Sequence, residues 1–494
     1  VTADTNTATY AGSRGPARPK AGASPGRFAP LVLSAVLIAL ALLVSLAPTD
    51  TLPPGTGFPL AIAVGLVLAA EAMVVKRHDV FEPVHLLSLC FAVLYIAHPI
   101  AIAARGTLDA YGQLGLDPRP LLPRAIMLAD LGFGSLLLGY LLTGRSGEAP
   151  RPERSWDADR LRRYRRWVGV VAAVLSAAFL VSRGGDIAIL HAGRSVAATQ
   201  AYQQTSGYLY SAPLLFLPVG LSVLYRTGRW ASARGALGIG LVVLSQASTF
   251  GTGSRSYFLP AASSTLLVWF LSRGRRPRAL TLVLLLFGAL TVGITLPREA
   301  RVVANQRIGR QVSTFDVAGG VREFTSGQDT AMVDSFSLEL DAVPRAIPYQ
   351  YGGSYVGALA RPVPRALWAS KPGSGDEFLN RQLFPSYASR RIGFAFGFFG
   401  EPYLNFGVPG IVVVSLLAGV ALRRLYNYLR SRPHDELAVL LFALSWPFVF
   451  VYMRGSLGVD YQRQAILLLP LIWLYRRAEV GGRRETRSKG VSAR

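Results

Sequence analysis

Apolar residues along this chain come in blocks of about 15–22, the length needed to cross a hydrocarbon core of roughly 30 Å. Twelve such blocks are read, at 31–47, 58–75, 84–104, 121–143, 167–182, 208–225, 235–250, 257–271, 279–296, 408–422, 437–453 and 465–475. Each is expected to be a membrane-spanning helix. The alternation breaks once, at a long polar segment over 297–407. That segment is rich in Tyr and Phe, contains Trp368 and carries an apolar stretch at 394–399. A disordered linker is poor in aromatics, so a partly helical, folded loop packed on the membrane face is expected.

The connectors set the orientation. Those at 76–77, 145–166, 226–234, 273–278, 423–432 and 476–494 are rich in arginine or lysine, and they alternate with poorer ones at 48–57, 105–120, 183–207 and 251–256. Basic connectors stay in the cytoplasm, and an even number of spans puts both termini there. The expected plan is a disordered basic tail over 1–30, spans 1–9 within 31–296, the large extracytoplasmic loop at 297–407, spans 10–12 within 408–475 and a basic tail over 476–494. The first span is expected to serve as an uncleaved signal anchor.

Composition agrees. Hydrophobic residues make up 51% of the 494, and only 16% are charged. The net charge of +24 is mostly arginine in short connectors, which positive-inside topology explains without nucleic acid. A single cysteine, Cys90, excludes an internal disulfide framework. The five histidines (His78, His85, His98, His191 and His434) are scattered, and no cluster has metal-ligand spacing, so no metal or cofactor is expected. Glu71 and Asp130 lie inside spans, where each is expected to be buried or paired. No inverted repeat of the transporter kind is visible.

Three clusters carry candidate chemistry. Residues 250–257, Phe-Gly-Thr-Gly-Ser-Arg-Ser-Tyr, put Arg255 at a glycine-rich turn at the outer end of a span. This reads either as a phosphate clamp or as a tight turn with a snorkelling arginine. Arg298 and Arg301, followed by Arg307, leave the membrane on the outer side and suit either a lipid diphosphate or ordinary headgroups. The third cluster joins 361–372, a proline-stiffened stretch presenting Arg365, Trp368 and Lys371, to 397–407, which sets Glu401, Tyr403 and Asn405 just above the bilayer. An aromatic flanked by cations suits a phosphorylated sugar. Glu401, a carboxylate among aromatics, suits a general base, and the bland alternative is an interfacial aromatic cap.

The stretches 361–372 and 400–407 (Gly-Glu-Pro-Tyr-Leu-Asn-Phe-Gly) resemble the O-antigen polymerase, or oligosaccharide repeat unit polymerase, family of the Wzy type. Gly253-Ser-Arg255 and the plan of about twelve spans with one late outer loop are similar to the same family. The resemblance covers mainly 245–460. It implies an all-α polytopic membrane protein of GT-C-like fold that joins undecaprenyl-diphosphate-linked oligosaccharides on the extracytoplasmic face, without a metal. On that reading Arg255, Arg298, Arg301, Arg365 and Lys371 are candidates to hold the diphosphate. Trp368, Tyr403, Asn405 and Arg454 contact substrate, and Arg454 and Asp460 close the site from the last outer loop. Glu401 is the first choice of base, with Asp334, Glu339, Asp341 and His191 as alternatives; the three acids are expected on a solvated helix. A flippase and a chain-length regulator are implied partners. A glycan ligase and a lipid-linked oligosaccharide flippase or exporter remain alternative functions.

Overall fold

A computed structural model describes residues 53–75, 79–105, 109–112, 114–144, 151, 154–181, 211–246, 255–277, 330–361, 363, 367–389 and 393–480. Its regular elements are helical; the one β-bridge among the described residues joins Trp156 to Glu479. The helices are α1 (Gly57–Val75), α2 (from Pro83–Phe91 through a π turn at Ala92–Ala97 into His98–Arg105), α3 (Leu122–Leu142) and α4 (Ala158–Val181). Next come α5 (Ala212–Arg226), α6 (Ala233–Leu244), α7 (Arg255–Leu271), α8 (Met332–Ala342), α9 (Gly353–Leu359) and α10 (Gly375–Leu383). The last are α11 (Gly397–Ser431), α12 (Glu436–Arg454) and α13 (Leu457–Ala478).

Six of these, α1 to α4, α11 and α12, contain a stretch long and apolar enough to cross a membrane, and shorter apolar helices lie at Ala212–Arg226, Ala233–Leu244 and Phe258–Leu271. The regular elements of the described residues are thus all helical, and their candidate spans agree with a polytopic membrane protein. The blocks expected at 31–47 and 279–296 lie outside the described residues. Helix α4 begins nine residues before its expected span because an arginine-rich turn, 160–166, continues the helix past its apolar part. Helix α13 carries Asp460 and Arg463 near its start and Arg476 and Arg477 in its last turn, which leaves a short apolar middle.

Contacts sort the connectors onto two ends. At one end Asp79 meets Arg276 at 3.1 Å and Tyr426 at 2.9 Å, Tyr225 donates to the His434 carbonyl at 2.8 Å, and the Arg151 amide donates to the Ser431 carbonyl at 2.9 Å. These are the basic connectors. At the other end α8 packs on α3, α11 and the π turn of α2, α9 on α13 and α11, and α10 on α11. The His98 imidazole sits 3.1 Å from Asp334 and 3.2 Å from Thr330, and Tyr111 lies 3.2 Å from Ser335.

Pro99 explains the π turn. It has no N–H for the Tyr95 carbonyl and its ring crowds that carbonyl, so the helix widens and His98 donates instead to Val93, five residues back. The core of the bundle is the crossing of α3 and α11. A Cβ on Gly139 would lie 2.1 Å from the Leu416 carbonyl oxygen, and one on Gly419 would lie 2.0 Å from that of Leu136. Reciprocal glycines let the two backbones touch, as small residues do in membrane helix pairs. Near the basic end Arg423, on α11, reaches Glu82 at 3.0 Å and Tyr140 at 3.2 Å, with both charges buried. Glu71 is buried and 2.7 Å from His85. Asp130 is buried, and neither of its carboxyl oxygens has a hydrogen-bond partner among the described residues.

One expectation needs correction. The helix bearing Asp334 and Glu339 is not solvated: every residue from Met332 to Leu340 is buried, and only Asp341 is exposed. The cause is a full ring of neighbours, with α3, α11, the π turn and the turn at Arg119–Leu121 all packed on α8.

The glycine crossing yields a test. Gly419→Ala should lower the thermal midpoint in detergent, at a cost of about 1–3 kcal/mol or more from overpacking. Gly169→Ala on α4, where a Cβ meets nothing within 4 Å, should leave it unchanged. Equal midpoints for the two variants would show that the crossing does not limit stability.

Candidate functional site

The site grows from a kink in α11. Gly407 takes φ 64° and ψ −148°, and Pro409 cannot donate to the Asn405 carbonyl. Two helical carbonyls are thereby released, and the 350–351 turn satisfies both: Gln350 N–H donates to Leu404 O at 2.9 Å and Tyr351 N–H to Asn405 O at 3.1 Å. Gly352, at φ 90°, gives its amide to Asn405 Oδ1 at 2.9 Å and starts α9. Asn405 Nδ2 then donates to the Glu401 carbonyl and to Ser354 Oγ, each at 2.7 Å. Ser354 Oγ donates onward to Glu401 Oε1 at 2.8 Å. The kink thus aims a buried hydroxyl at a buried carboxylate.

Two more carboxyls join Glu401. Helix α10 starts at a Ser374 cap whose Oγ accepts from Glu377 N–H at 3.3 Å, which sets Asp376 in its first turn. A Cβ on Gly375 would lie 3.1 Å from Glu401 Cγ, so glycine lets this helix start close onto Glu401 without displacing its side chain. Asp376 Oδ2 also accepts from the Ser456 amide at 3.3 Å, tying α10 to the start of α13. From the other side comes Glu339 of α8, whose Oε2 lies 2.6 Å from where a Gly400 Cβ would be.

Electrostatics make the group unusual. Burial, followed by the Glu401 charge, pushes the Asp376 carboxyl up to about 7. Burial, then the charges of Asp376 and Glu401, holds the Glu339 carboxyl well above the usual carboxylate range. Neither Glu339 oxygen has a hydrogen bond of good geometry, and the Leu404 amide pulls only weakly the other way. Buried polar groups are normally paired, so an unpartnered carboxyl at 0% exposure marks a place where stability is given up. The Tyr355 hydroxyl, within electrostatic reach of Glu401 and Glu339, is likewise buried without a hydrogen-bond partner among the described residues.

Cations gather at a fourth acid, Asp460, whose charge is felt at Asp376. Asp460 accepts from Arg463 at 2.8 Å and lies within electrostatic reach of Arg454 and Arg361. Tyr461 hydrogen-bonds the Ala358 carbonyl, which joins α13 to α9. Among the described residues no three His, Cys, Asp or Glu are arranged to hold a metal ion.

The expected site residues fall into distinct places. Glu401 is at the centre. Arg454 is half-buried beside Asp460. Asn405 is fully buried and uses its amide inside the protein, where it positions Ser354. Tyr403 is buried, its hydroxyl 3.4 Å from the Val343 carbonyl. Lys371 Nζ gathers the carbonyls of Val363, Arg361 and Ala360 at 2.6, 3.2 and 3.5 Å, closing the proline-stiffened segment on itself. Trp368 stands on that segment at 39% exposure. Arg255 opens α7. Arg298, Arg301 and Arg365 lie outside the described residues, as does His191.

Sequence reasoning missed Asp376, Ser354 and Arg463. A signal existed for the first: Ser374-Gly-Asp-Glu377 is a capping-box spacing that announces a helix start with an acid in its first turn. Nothing local marks Ser354, whose role exists only through the distant kink.

The Asp376 carboxyl has a consequence for pH dependence. Its folded value of about 7 lies above the ordinary 3.8, so the folded protein holds a proton there that the unfolded chain releases. Stability from this group is complete at low pH and is lost as pH rises through about 7. Asp376→Asn should flatten the fall in thermal midpoint between pH 4 and pH 7. An unchanged pH slope in the variant would refute the assignment.

Comparison with curated proteins and with solved structures finds no match. A family model described as O-antigen polysaccharide polymerase Wzy matches residues 31–477, and since this is nearly the whole sequence, the chain belongs to the Wzy family of O-antigen polysaccharide polymerases.

Proposed function

We propose that this protein polymerises undecaprenyl-diphosphate-linked oligosaccharide repeat units into a cell-surface polysaccharide, on the extracytoplasmic face of the cell membrane. The observation carrying this reading is the Glu339–Asp376–Glu401 group, buried at the end of the bundle opposite the basic connectors, with the Asp460 charge felt at Asp376 and Arg361, Arg454 and Arg463 gathered around Asp460. Basic connectors face the cytoplasm by the positive-inside rule, which turns the carboxyl group outward and leaves both termini inside. A general base beside guanidinium groups is what transfer from a sugar diphosphate requires.

In this reaction a hydroxyl of the acceptor sugar attacks the anomeric carbon of the donor chain. Its proton passes to Glu401, which Ser354 and Asn405 hold in position. The bond between the anomeric carbon and the phosphate oxygen breaks, and its electron pair leaves with the lipid diphosphate. Arg454 and Arg361 are the described cations placed to stabilise that charge, with Arg255, Arg298, Arg301 and Arg365 as further candidates and Trp368 as a sugar platform. Asp376, its carboxyl pushed up to about 7, is the group that takes up the proton Glu401 receives, while Glu339, held well above the usual carboxylate range, keeps its own proton. A flippase that delivers repeat units and a chain-length regulator are the partners this role calls for.

Glu401→Gln should lower polymer formation by about 10²-fold or more, the usual weight of a general base. The assay is the lipid-linked glycan profile of cells carrying the variant as their only copy. Single repeat units should accumulate on the outer leaflet. Full-length polymer still on its lipid would instead indicate a ligase, and repeat units held on the inner leaflet a flippase. Arg454→Ala should raise the donor requirement, whereas Glu401→Gln should slow transfer at saturating donor; identical kinetic defects would remove the assigned roles.

A further inference from the structure

At the basic end of the bundle, far from the carboxyl group, α4 and α13 lie side by side and antiparallel. They are tied where one begins and the other stops. Asp157 N–H donates to the Ala478 carbonyl at 2.8 Å, Val480 N–H to that of Ser155 at 3.2 Å, and Trp156 forms its bridge with Glu479. Deeper along the pair, the Tyr164 and Trp473 rings meet edge to face at 5.3 Å. Beyond that contact α4 is the least covered of the candidate spans, with 11% of its apolar window buried. A furrow between the two helices therefore opens outward.

Both helices present the same order of chemistry from the basic end inward. On α4 it is Arg163, then Trp167, then Val171; on α13 it is Arg476 and Arg477, then Trp473, then Leu469. All of these side chains are exposed. Helix direction brings the charges together. Arg163 lies about 9 Å of helix rise inward from Asp157, and Arg476 and Arg477 lie within about 3 Å of Ala478. A helical Cβ tilts toward its own N-terminus, so the α4 arginine reaches outward while the α13 arginines reach inward. The same opposite tilts bring Trp167 and Trp473 toward a common level.

The charge is not neutralised from within. The acids of this corner, Asp157, Asp159 and Glu479, pair with Arg160, Arg162 and Arg154, and Arg163, Arg476 and Arg477 form no salt bridge among the described residues. An occupant must bring negative charge at the arginine level and hydrocarbon beneath the tryptophans. A second copy of this chain in two-fold contact would set arginine against arginine, and the sequence following Val480 is itself basic. A phospholipid with an anionic head matches all three levels: phosphate on guanidinium, glycerol beside the tryptophans, acyl chains on the aliphatic residues. The positive-inside rule places arginine at this end, but it does not require one order of residue types on two adjoining helices.

We propose that the α4–α13 furrow is a binding site for one anionic phospholipid, whose phosphate is held by Arg163, Arg476 and Arg477 and whose acyl chains lie on Val171 and Leu469. Bound there, the lipid fastens the least covered span to the helix whose far end carries Asp460. The site is separate from the carboxyl group and stands whatever glycan reaction the protein performs.

The test follows the thermal midpoint of full-length protein in a neutral detergent during titration with dioleoyl phosphatidylglycerol or dioleoyl phosphatidylcholine. Phosphatidylglycerol should raise the midpoint and phosphatidylcholine should not. The triple variant Arg163→Gln, Arg476→Gln, Arg477→Gln should need about a hundredfold more phosphatidylglycerol, about fivefold for each arginine. A control triple, Arg229→Gln, Arg234→Gln, Arg275→Gln, removes as many exposed arginines from the other basic connectors and should keep the wild-type response. Equal stabilisation by the two lipids, or equal loss in the two triple variants, would overturn the site in favour of unspecific lipid or diffuse charge. A rise with inorganic phosphate equal to that with phosphatidylglycerol would assign the arginines to a free anion and overturn it as well.

A direct readout covers the case in which the triple variant does not fold. Wild-type protein is photolabelled with phosphatidylglycerol carrying a diazirine in an acyl chain, and the adducts are mapped. Adducts concentrated at 167–171 and 469–473, displaced by unlabelled phosphatidylglycerol and not by phosphatidylcholine, are expected. Equal labelling of Leu237 and Val243 on the exposed face of α6, or equal displacement by phosphatidylcholine, would assign the furrow to bulk lipid and refute the proposal.

Discussion

The close approach of α3 and α11 at Gly139 and Gly419 is the constraint on which the rest depends. In a membrane, apolar side chains gain little by leaving lipid for protein, so contact between helices must come from tight packing and from polar ties. Here backbone meets backbone, and the crossing fixes α11 along its length. One end of α11 carries Glu401 and the kink that organises Ser354 and Asn405; the other carries Arg423, buried against Glu82 and Tyr140. A shift at the crossing would move Glu401 and the charge pair together.

The two ends use buried polarity in opposite ways. Near the basic connectors, charges are neutralised in pairs: Glu82 with Arg423, Glu436 with Arg226 at 2.6 Å, and Asp79 with Arg276. Such pairs offset desolvation and set helix register more than they add stability. At the other end three acids share one neighbourhood, and among the described residues neither Glu339 oxygen has a hydrogen bond of good geometry. Like charges in a dry site oppose one another's ionisation, which helps hold the Asp376 and Glu339 carboxyls above their usual range. Carboxyls with raised proton affinity cluster at functional sites, and this group differs in that respect from the neutralised pairs at the other end.

The kink shows how irregular backbone is made tolerable near a membrane. Proline and glycine free carbonyls that would be costly if left dry. A turn more than fifty residues earlier in the chain caps them, and the same turn delivers Ser354. Repair of the helix and assembly of the site are one event. Asn405 therefore matters to Glu401 even though its own hydrogen bonds are all internal.

Much of this protein was legible in one dimension. Apolar blocks at 58–75, 84–104, 121–143 and 437–453 match α1, α2, α3 and α12 to within two residues at either end, because burial in lipid depends on each segment's own composition. The grouping of basic connectors was legible for the same reason, as was Glu401 as an acid among aromatics. What escaped were properties of pairs. The helix of Asp334 and Glu339 has an acidic, mixed pattern that reads as solvent-facing, and only neighbours from four other places in the chain enclose it. Asp376 meets Glu401 because glycine lets α10 close onto it, and Asn405 became a positioning residue because a distant turn supplied its partners. A segment's fit to lipid is written in that segment, whereas the proton affinity of a buried carboxyl depends on which other charges the fold brings within a few ångströms, and only tertiary packing decided that.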